Sequence, residues 1–321
     1  MRYSGRIMNL CVVIPAYREG ATIQEVIKRI PRQMAGVTQV TVLVVDDGSD
    51  DMTAACAREA GADLVVIHKR RLGLGQALNT GFERAIELGA DLAVHLDADG
   101  QYQPEEIPRL IQPILAQTAD IVLGSRFAGR IERMSALRRA GNRFFTFIVR
   151  MLSGVSMSDA QTGFRALSAD AVMRLYFLAP YTYTQEMIIQ AAHKHLTIRE
   201  VPCTFTVRQH GTSRLVHSVW AYGMTCLLIV LRTYRDYKPL KFFGVIGLAL
   251  LMSGFASGSF ILYHFVTTGK VSPHIPLALL TVALVLLGVQ VVIFAFLADM
   301  ASNMRKVLDK MLYEARKAAH G

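Results

Sequence analysis

The chain has 321 residues, a formal net charge of +10 and a hydrophobic fraction of 52%. Its charges are unevenly distributed, because Lys270 is the only Asp, Glu, Lys or Arg side chain in residues 242–298. This pattern excludes a disordered chain and a protein that is embedded in a membrane along its whole length. It predicts a water-soluble region over residues 1–241, followed by a hydrophobic tail.

Short β-branched runs alternate with helical stretches at the start of the chain. The predicted strands are 10–15, 40–45, 63–68, 92–96 and 120–123. The predicted helices between them are 22–33, 53–60, 76–88 and 104–116. Such alternation is typical of βαβ units, so the sequence predicts an α/β fold with a mainly parallel sheet. Ligands bind at the carboxyl ends of the strands in sheets of this kind.

Acidic residues follow three of the predicted strands. Glu19 comes soon after the first strand, Asp46 and Asp47 follow the second, and Asp97 and Asp99 follow the fourth. Any one of them could belong to a solvated turn or cap a helix. Together they predict one crevice rich in carboxylates, which repel each other unless a cation lies between them.

The sequence Asp97-Ala98-Asp99-Gly100-Gln101 suits a hard divalent cation. The carboxylate of Asp99 and the carbonyl oxygen of Gln101 are oxygen ligands, and they leave positions open for water and phosphate oxygens. The pattern therefore predicts Mg²⁺ or Mn²⁺ holding a diphosphate, a leaving group that gains negative charge as its bond breaks.

Residues 126–150 are strongly basic, with Glu132 as their only acid. Their arginines are Arg126, Arg130, Arg133, Arg138, Arg139, Arg143 and Arg150. One interpretation is a basic face on anionic lipid headgroups. The other is that some of these arginines grip a phosphate group, since Arg binds phosphate bidentately. Arg126 follows a predicted strand and Arg138 and Arg139 begin a helical segment, which favours these three. Apolar side chains that would seat the segment in the membrane surface follow at once: Phe144, Phe145, Phe147 and Ile148.

Two uncharged stretches near the carboxyl end predict a transmembrane hairpin. Residues 242–266 would form a helix of about 37 Å, enough to cross a ~30 Å hydrocarbon layer, and 275–298 is similar. Basic residues flank the pair, while the link 267–274 carries only Lys270. The positive-inside tendency then places both flanks in the cytoplasm and the link outside.

The uncharged segment 215–231 is at the lower limit for a further span. Crossing there would require translocation of everything before it, and the start of the chain has no leader. We therefore expect a helix lying on the cytoplasmic membrane surface. The expected division is a cytoplasmic domain (1–214), interfacial and juxtamembrane helices (215–241), two transmembrane helices (242–298) and a basic cytoplasmic tail (299–321). The expected location is the cell membrane, as a multi-pass protein in contact with membrane lipid.

Three motifs in this order and spacing resemble a known family. V-I-P-A-Y-R-E, V-V-D-D-G-S and D-A-D-G-Q are similar to signatures of family 2 glycosyltransferases, closest to the polyprenyl-phosphate branch typified by dolichol-phosphate mannose synthase. Later elements agree over residues 8–216: Gly124-Ser125-Arg126, Asp159-x-x-Thr162-Gly163-Phe164-Arg165, Val201-Pro202, and Arg208-x-x-Gly211-x-Ser213-Arg214.

The resemblance implies a nucleotide-sugar-binding domain of the glycosyltransferase A type and site residues for two substrates. It implies that the nucleoside is held by Pro15, Tyr17, Glu19 and Asp47. Asp97 and Ala98 would contact the nucleotide end, and Asp99 and Gln101 the metal. The residues expected to hold phosphate are Arg126, Arg138, Arg139, Arg208, Ser213 and Arg214. The family commonly has Lys where this chain has Arg214, which replaces a point charge by a planar guanidinium.

The reaction implied is the inverting transfer of one hexose from a nucleotide sugar, GDP-mannose or a UDP-hexose, to a polyprenyl phosphate. The second pKa of a phosphate monoester is about 6, so the acceptor is largely dianionic near pH 7. We therefore predict no essential catalytic base. Catalysis would rest on in-line positioning and charge stabilisation, with Asp97, Asp99 and Arg126 as catalytic residues.

Two other functions stay open, and one is excluded. A processive polysaccharide synthase would need a Q-x-x-R-W-type motif, whereas the only tryptophan, Trp220, follows L-V-H-S-V. A nucleotide-sugar-binding membrane protein without turnover is the third possibility. Nucleic acid is not an expected partner, because the basic residues cluster beside apolar membrane segments without a stacking pattern. The sequence does not distinguish dolichol from undecaprenol, or GDP-mannose from a UDP-sugar.

Overall fold

The structure is a computed structural model in which two compact units are described. It describes residues 8–132, 134–177, 183–207, 224, 227–228, 231–232 and 234–320, with side chains to residue 318. One unit comprises residues 1–230 with 313–321, and the other comprises residues 231–312. The predicted surface helix over 215–231 falls largely outside the described residues.

The first unit contains a seven-stranded sheet. Its strands are β1 (Met8–Ala16), β2 (Val37–Asp46), β3 (Leu64–Ile67), β4 (Leu92–His95), β5 (Ile121–Ile131), β6 (Arg165–Ser168) and β7 (Ile198–Phe205). Their order across the sheet is β3-β2-β1-β4-β6-β5-β7. All neighbours are parallel except that β6 runs antiparallel to both β4 and β5. The predicted α/β class and mainly parallel sheet are confirmed.

Helices connect these strands, and the first four of them correspond to the four predicted helices. They are α1 (Ile23–Lys28), α2 (Thr53–Glu59), α3 (Leu74–Glu87), α4 (Ile107–Leu115, after a 3₁₀ turn at Pro104–Glu106), α5 (Ala136–Ser153), α6 (Ala169–Arg174) and α7 (Thr184–His193). Helix α1 ends earlier than predicted. Pro31 explains this end, because proline removes a donor and disfavours helical backbone in the residue before it.

Apolar runs in β1, β2 and β4 form the centre of the core. Val12, Val44 and Val94 are fully buried there, and α1 and α4 pack on the same cluster. The strand order places β2, β1 and β4 side by side and parallel, so their carboxyl ends lie at one edge of the sheet. This arrangement brings together the acidic segments that follow them.

The second unit contains two long apolar helices, α8 (Pro239–Thr268) and the first part of α9 (Ile275–His320). Both are long and apolar enough to cross a membrane, by length and composition. Their backbones approach closely. A Cβ built on Gly254 would lie 2.7 Å from Cγ2 of Val285, and one on Gly288 would lie 2.7 Å from Cγ of Leu251. Small residues at such a seam are typical of helices that associate in membranes.

Helix α9 continues well beyond residue 298, where the sequence predicts a basic tail. Its last residues, from Tyr313, belong to the first unit. The Tyr313 hydroxyl donates to Asp170 at 2.5 Å, and Nη2 of Arg316 donates to Glu83 at 2.9 Å. Part of the predicted tail is therefore an ordered helix end that packs on α3 and α6.

Candidate active site

The loops after β1 and β2 form one side of the site. The guanidinium of Arg71 lies 4.3 Å from the ring centre of Tyr17, so this ring already has a cationic partner on one face. The backbone N–H of Arg18 donates to Ser49 Oγ at 2.9 Å, which joins the two loops. Tyr17 is half-buried, whereas the predicted Pro15 is buried within β1.

Glu19 lies beside these loops and close to the Asp97-Ala98-Asp99 turn. Its backbone N–H donates to Thr53 Oγ1 at 2.9 Å. The hydroxyl of Thr22 lies 3.2 Å from the Glu19 carboxylate and donates to the carbonyl of Ala98 at 2.8 Å. Ala98 itself is buried. The predicted nucleoside residues after β1 are thus linked to the turn after β4.

The Asp47 carboxylate is directed into its own protein rather than outward. It accepts hydrogen bonds at 2.8 Å from the backbone N–H groups of Leu72 and Gly73, and Nδ1 of His68 lies at the same distance. Asp47 is only 4% exposed. Its observed role is to fix the loop that carries Arg71 against Tyr17. Any contact of the Asp47 carboxylate with a nucleoside stays a prediction.

Asp97 is the second residue after β4, and its side chain is one-third exposed. Oδ1 lies 3.3 Å from Nε2 of the buried His95. A Cβ on Gly163 would lie 2.1 Å from Oδ2, so the carboxylate rests against backbone. Burial raises the pKa of Asp97, but His95 and the charges of Arg126 and Arg165 outweigh it, and the pKa lies below its ordinary value. Asp97 is therefore ionised at neutral pH and can accept hydrogen bonds from hydroxyl groups.

Asp99 and Gln101 lie on the turn that follows, and Gly100 between them has a left-handed φ of 72°. Oδ1 of Asp99 accepts the backbone N–H of Gln101 at 3.1 Å. The backbone carbonyl of Gln101 accepts from the N–H and the hydroxyl of Thr206, at 2.9 and 3.2 Å. Since these bonds occupy that carbonyl, the side-chain oxygen Oε1 is the Gln101 atom suited to a metal.

Arg126 is engaged by a carboxylate that the sequence analysis did not assign to the site. Its Nε and Nη2 donate to Asp159 at 2.7 and 2.9 Å, and its backbone N–H donates at 3.2 Å. Arg126 is 7% exposed and Asp159 is fully buried. Asp159 is held in turn by Glu200, which accepts its backbone N–H at 3.0 Å. Because Asp159 occupies Nε and Nη2, Nη1 is the guanidinium nitrogen left for the phosphate contact predicted for Arg126.

Helix α5 begins as predicted just before Arg138 and Arg139. The side chain of Ser135 caps it by accepting the backbone N–H of Arg138 at 3.3 Å. Both arginines are exposed. They stand seven residues before Phe145 and Thr146, which are buried, so they share the inner face of the helix. Cations in a first helical turn oppose the helix dipole, and a bound anion would relieve this.

The outer face of α5 is apolar and basic. Its apolar side chains lie on one stripe and are about 60% exposed: Leu137, Phe144, Phe147 and Met151. Arg143 and Arg150, seven residues apart, lie beside this stripe. On the inner side, Thr146 Oγ1 accepts the backbone N–H of Ala160 at 3.2 Å, which ties α5 to the segment carrying Asp159.

Three predicted phosphate residues, Arg208, Ser213 and Arg214, lie outside the described residues. The chain enters their segment from Thr206 and Val207. Thr206 bonds to Gln101, and the Val207 N–H donates to Glu132 at 3.3 Å. Their part in the site stays a prediction.

Sequence reasoning missed His95 and Asp159 as members of the site. His95 is a polar residue at the end of an apolar strand just before Asp97, an unusual place for an imidazole that could have marked it. Asp159 belongs to a recognised motif, but nothing local pairs it with Arg126, which is 33 residues away.

Comparison with known proteins identifies the family. Residues 11–176, about half of the chain, match the family described as Glycosyl transferase family 2. The chain belongs to this family. It is therefore an enzyme, a glycosyltransferase, and not a binding protein without turnover. All the predicted residues from Pro15 to Arg139 lie within the matched part.

Two relatives and one solved structure show which glycosyltransferases this chain is similar to. It is 29% identical over 310 residues to glycosyltransferase AglJ of Haloferax volcanii, covering 95% of this chain and 97% of that protein. It is 33% identical over 218 residues to the undecaprenyl-phosphate mannosyltransferase of Micrococcus luteus, covering 65% and 88%. Glucosyl-3-phosphoglycerate synthase of Mycobacterium tuberculosis, solved with Mn²⁺, UDP and glucosyl-3-phosphoglycerate, is 25% identical with a TM-score of 0.56, covering 72% and 80%. The resemblance to the polyprenyl-phosphate branch and the A-type fold are confirmed.

The glycosyltransferase offers a small set of oxygen donors for a cation. The carboxylate of Asp99 and Oε1 of Gln101 are the hard ligands that Mg²⁺ and Mn²⁺ prefer. Within the described ranges, no three His, Cys, Asp or Glu side chains form a metal-binding group. The donor set therefore fits a cation that completes its coordination with water and substrate oxygens, not a closed structural site.

Proposed function

We propose that this glycosyltransferase transfers one hexose from a nucleotide sugar to a polyprenyl phosphate, with inversion at the anomeric carbon. The observation that carries the proposal is α5, which combines Arg138 and Arg139, two exposed arginines in line with its buried residues, with an exposed apolar and basic outer face. A soluble phosphate acceptor would need the arginines alone. An acceptor with a phosphate head and a membrane-embedded tail needs both faces. The name of the Micrococcus luteus relative supports the same class of acceptor.

The donor would bind across the ends of β1, β2 and β4. Tyr17, backed by Arg71, offers a ring face for the base, and Glu19 and Asp97 offer carboxylates to hydroxyl groups. The nucleotide and the sugar are left open. A mannosyltransferase among the relatives and UDP in the solved structure point to different donors.

The chemical step is a single displacement. An acceptor phosphate oxygen forms a bond to the anomeric carbon while the bond from that carbon to the donor diphosphate breaks. The nucleoside diphosphate leaves with the electron pair, and the configuration inverts. Because the attacking phosphate is largely ionised near pH 7, no proton has to be removed and no general base is needed.

A divalent cation bound by Asp99 and Gln101 would neutralise charge on the leaving diphosphate. The remaining task of the protein is to hold the two substrates in line. Arg138 and Arg139 would orient the acceptor phosphate, together with Nη1 of Arg126 and the predicted phosphate residues Arg208, Ser213 and Arg214. In this proposal carboxylates hold the donor and arginines hold the acceptor phosphate, and catalysis comes from positioning these two substrates.

The proposed location is the cell membrane, with the catalytic domain in the cytoplasm. The two apolar helices support membrane association. In this proposal residues 1–214 are the catalytic domain, 215–241 lie at the membrane surface, 242–298 cross twice, and 299–321 return to the cytoplasm. Cysteine labelling in intact cells tests it. A cysteine at Ser272 should react with an impermeant reagent, and reaction of one beside Asp99 would overturn the topology.

One assay tests the activity. Membranes containing the enzyme are incubated with radiolabelled GDP-mannose or a UDP-hexose, a polyprenyl phosphate and Mn²⁺ or Mg²⁺. We expect one labelled glycolipid that extracts into organic solvent and carries one sugar. Membranes with the Asp99→Asn variant are the control. A labelled polymer would instead favour a processive synthase, and no product from any common donor would contradict the proposed reaction.

A further inference from the structure

A chain of buried polar groups lies behind Asp97. His95 is 0% exposed at the end of β4, and its two ring nitrogens face different partners. Nδ1 is hydrogen-bonded to the hydroxyl of Tyr183, whose ring stands edge-on to the imidazole with centroids 5.2 Å apart. Nε2 lies at an ion-pair distance of 3.3 Å from Oδ1 of Asp97 and has no partner in ordinary hydrogen-bond geometry within the described part of the chain.

The burial of Tyr183 sets the protonation state of its phenol. Burial raises the pKa of Tyr183 well above its ordinary value, so the phenol keeps its proton and can donate it in the hydrogen bond with Nδ1 of His95. A neutral imidazole that accepts at Nδ1 carries its proton at Nε2. The Nε2–H group then lies beside the carboxylate of Asp97, at the ion-pair distance of 3.3 Å. Each group in the series Tyr183, His95, Asp97 has a donor or acceptor role that fits its neighbour.

The opposite side of the Asp97 carboxylate is confined by backbone. Gly163 leaves no room for a side chain, since a Cβ there would lie 2.1 Å from Oδ2. The N–H of Gly163 donates to the hydroxyl of Tyr102 at 3.0 Å, which holds this backbone in place. The buried guanidinium of Arg165 bonds to backbone carbonyls, including that of Thr162 at 2.9 Å, and adds positive charge nearby.

We propose that His95 is a positioning residue for Asp97: its Nε2–H group, oriented by Tyr183, holds the carboxylate against Gly163 in the orientation that binds the donor. This inference rests on the proposed function, in which Asp97 contacts the nucleotide end of the donor. His95 itself would touch no substrate. A loose carboxylate would bind the donor less well without affecting the acceptor, which is held by other residues.

Substitutions at position 95 distinguish a role of His95 in positioning Asp97 from a role in packing alone. Leu has a similar size and no donor, whereas Gln can place an N–H group near the position of Nε2. For His95→Leu we expect the donor KM to rise about tenfold, the effect of one hydrogen bond to a charged group, with the polyprenyl phosphate KM unchanged. His95→Gln should recover most of this loss. A merely structural role would lower the thermal midpoint of both variants without a selective effect on the donor.

Tyr183→Phe provides a second test that does not remove the imidazole. Without the phenol, the ring proton can move to Nδ1, and the donor facing Asp97 is then lost in part of the molecules. We expect a rise in donor KM of about threefold, in the same direction as for His95→Leu. Tyr176→Phe is the matched control, since it removes a phenol oxygen from an exposed ring outside the site and should leave the donor KM at the wild-type value.

Two failures of this experiment are distinguishable. If wild-type membranes form no glycolipid from any donor, the proposed function fails, and this inference fails with it. If the wild-type enzyme is active and the folded His95→Leu and Tyr183→Phe variants keep the wild-type donor KM, only the inference on His95 is overturned. Calorimetric binding of GDP and UDP with Mn²⁺ to the same purified proteins gives an independent measurement, in which His95→Leu should weaken nucleotide binding about tenfold.

Discussion

The two sides of the candidate site are built differently. At the sheet edge, the Asp47 carboxylate is hydrogen-bonded to several neighbours, that of Asp97 lies against His95 and Gly163, and Arg126 is paired with Asp159. The fold sets the positions of these three side chains. On α5, Arg138 and Arg139 are exposed to solvent. The difference corresponds to the two substrates proposed: a water-soluble donor that binds across the ends of the strands, and an acceptor phosphate presented from a fluid membrane surface. Substitutions should therefore disturb geometry on one side and affinity on the other.

The largest effect is expected where the sheet edge is most deeply buried. Asp159→Ala leaves the Arg126 guanidinium buried without its partner, which costs about 3–5 kcal/mol of folding stability. Thermal unfolding of the purified enzyme in detergent measures this loss. Arg84→Gln, which removes an exposed arginine paired with Glu87, is the control and should change stability by less than about 1 kcal/mol. Equal losses of folding stability in the two variants would show that the buried ion pair stabilises the fold no more than an exposed one.

A second large effect is expected for the metal ligands. Asp99→Asn should lower the rate of glycolipid formation by about 10²–10³, because one charge that holds the cation on the leaving diphosphate is lost. Removal of divalent cations with EDTA should stop the wild-type reaction, and Mn²⁺ should restore it. Glu105→Gln, an exposed carboxylate paired with Arg29, is the matched control. A variant Asp99→Asn with wild-type rate and metal response would remove Asp99 from the site.

An effect of intermediate size on the acceptor KM is expected for the arginines of α5. Two pairs of arginines on different faces of this helix are compared. Arg138→Gln with Arg139→Gln should raise the KM for polyprenyl phosphate about tenfold or more and leave the donor KM unchanged, since charged hydrogen bonds to phosphate are lost. Arg143→Gln with Arg150→Gln, on the outer face, should leave the KM for a short-chain acceptor in detergent unchanged. If both pairs behave alike, the inner and outer faces of α5 do not differ in function.

A smaller effect is expected from the apolar stripe on α5. Phe144→Ser with Phe147→Ser removes two rings that are 58% and 62% exposed. Because these rings would lie in the membrane surface, activity in lipid vesicles should fall several-fold while activity with a short-chain acceptor in detergent persists. The ratio of the two activities is the measurement, and an unchanged ratio would argue against contact between α5 and lipid.

The last prediction concerns the reactivity of two buried thiols, where the smallest effect is expected. Burial raises the pKa of Cys11 and of Cys203 to about 12, so both should resist alkylation at pH 8 in the folded enzyme. Cys56 is only half-buried and provides the comparison within the same protein. Mass spectrometry after treatment with iodoacetamide measures the modification at each position. Rapid labelling of Cys11 would mean that the centre of the sheet opens readily.

The sequence predicts the donor side of the fold well because its elements are local. Apolar runs that are followed within a few residues by acidic residues and glycine mark β1, β2 and β4, and the order of parallel strands brings their ends together. The strands β6 and β7 were not predicted. β6 has four residues and begins with Arg165, whose charge masks a fully buried position. The early end of α1 follows from Pro31, which is visible in the sequence.

The site is less predictable than the fold because its partners are distant in sequence. Asp97, Asp99 and Gln101 could be located from one motif. The contacts that orient them come from Gly163, Tyr183 and Thr206, and no local pattern connects these residues to that motif. The contact between Arg126 and Asp159 also joins residues that are distant in sequence. It leaves Nη1 of the arginine for the predicted phosphate contact.

The seam between α8 and α9 has a consequence for transport. At Gly254 and Gly288 the backbone of each helix touches side chains of the other, so the interior of this pair is filled. A hydrated sugar phosphate has no passage through a filled two-helix seam, and moving its charge through hydrocarbon is costly. If the two helices cross the membrane and the reaction is the one proposed, a single copy would load the sugar on one leaflet and leave it there. If the glycolipid is used on the other side of the membrane, a separate carrier must turn it over.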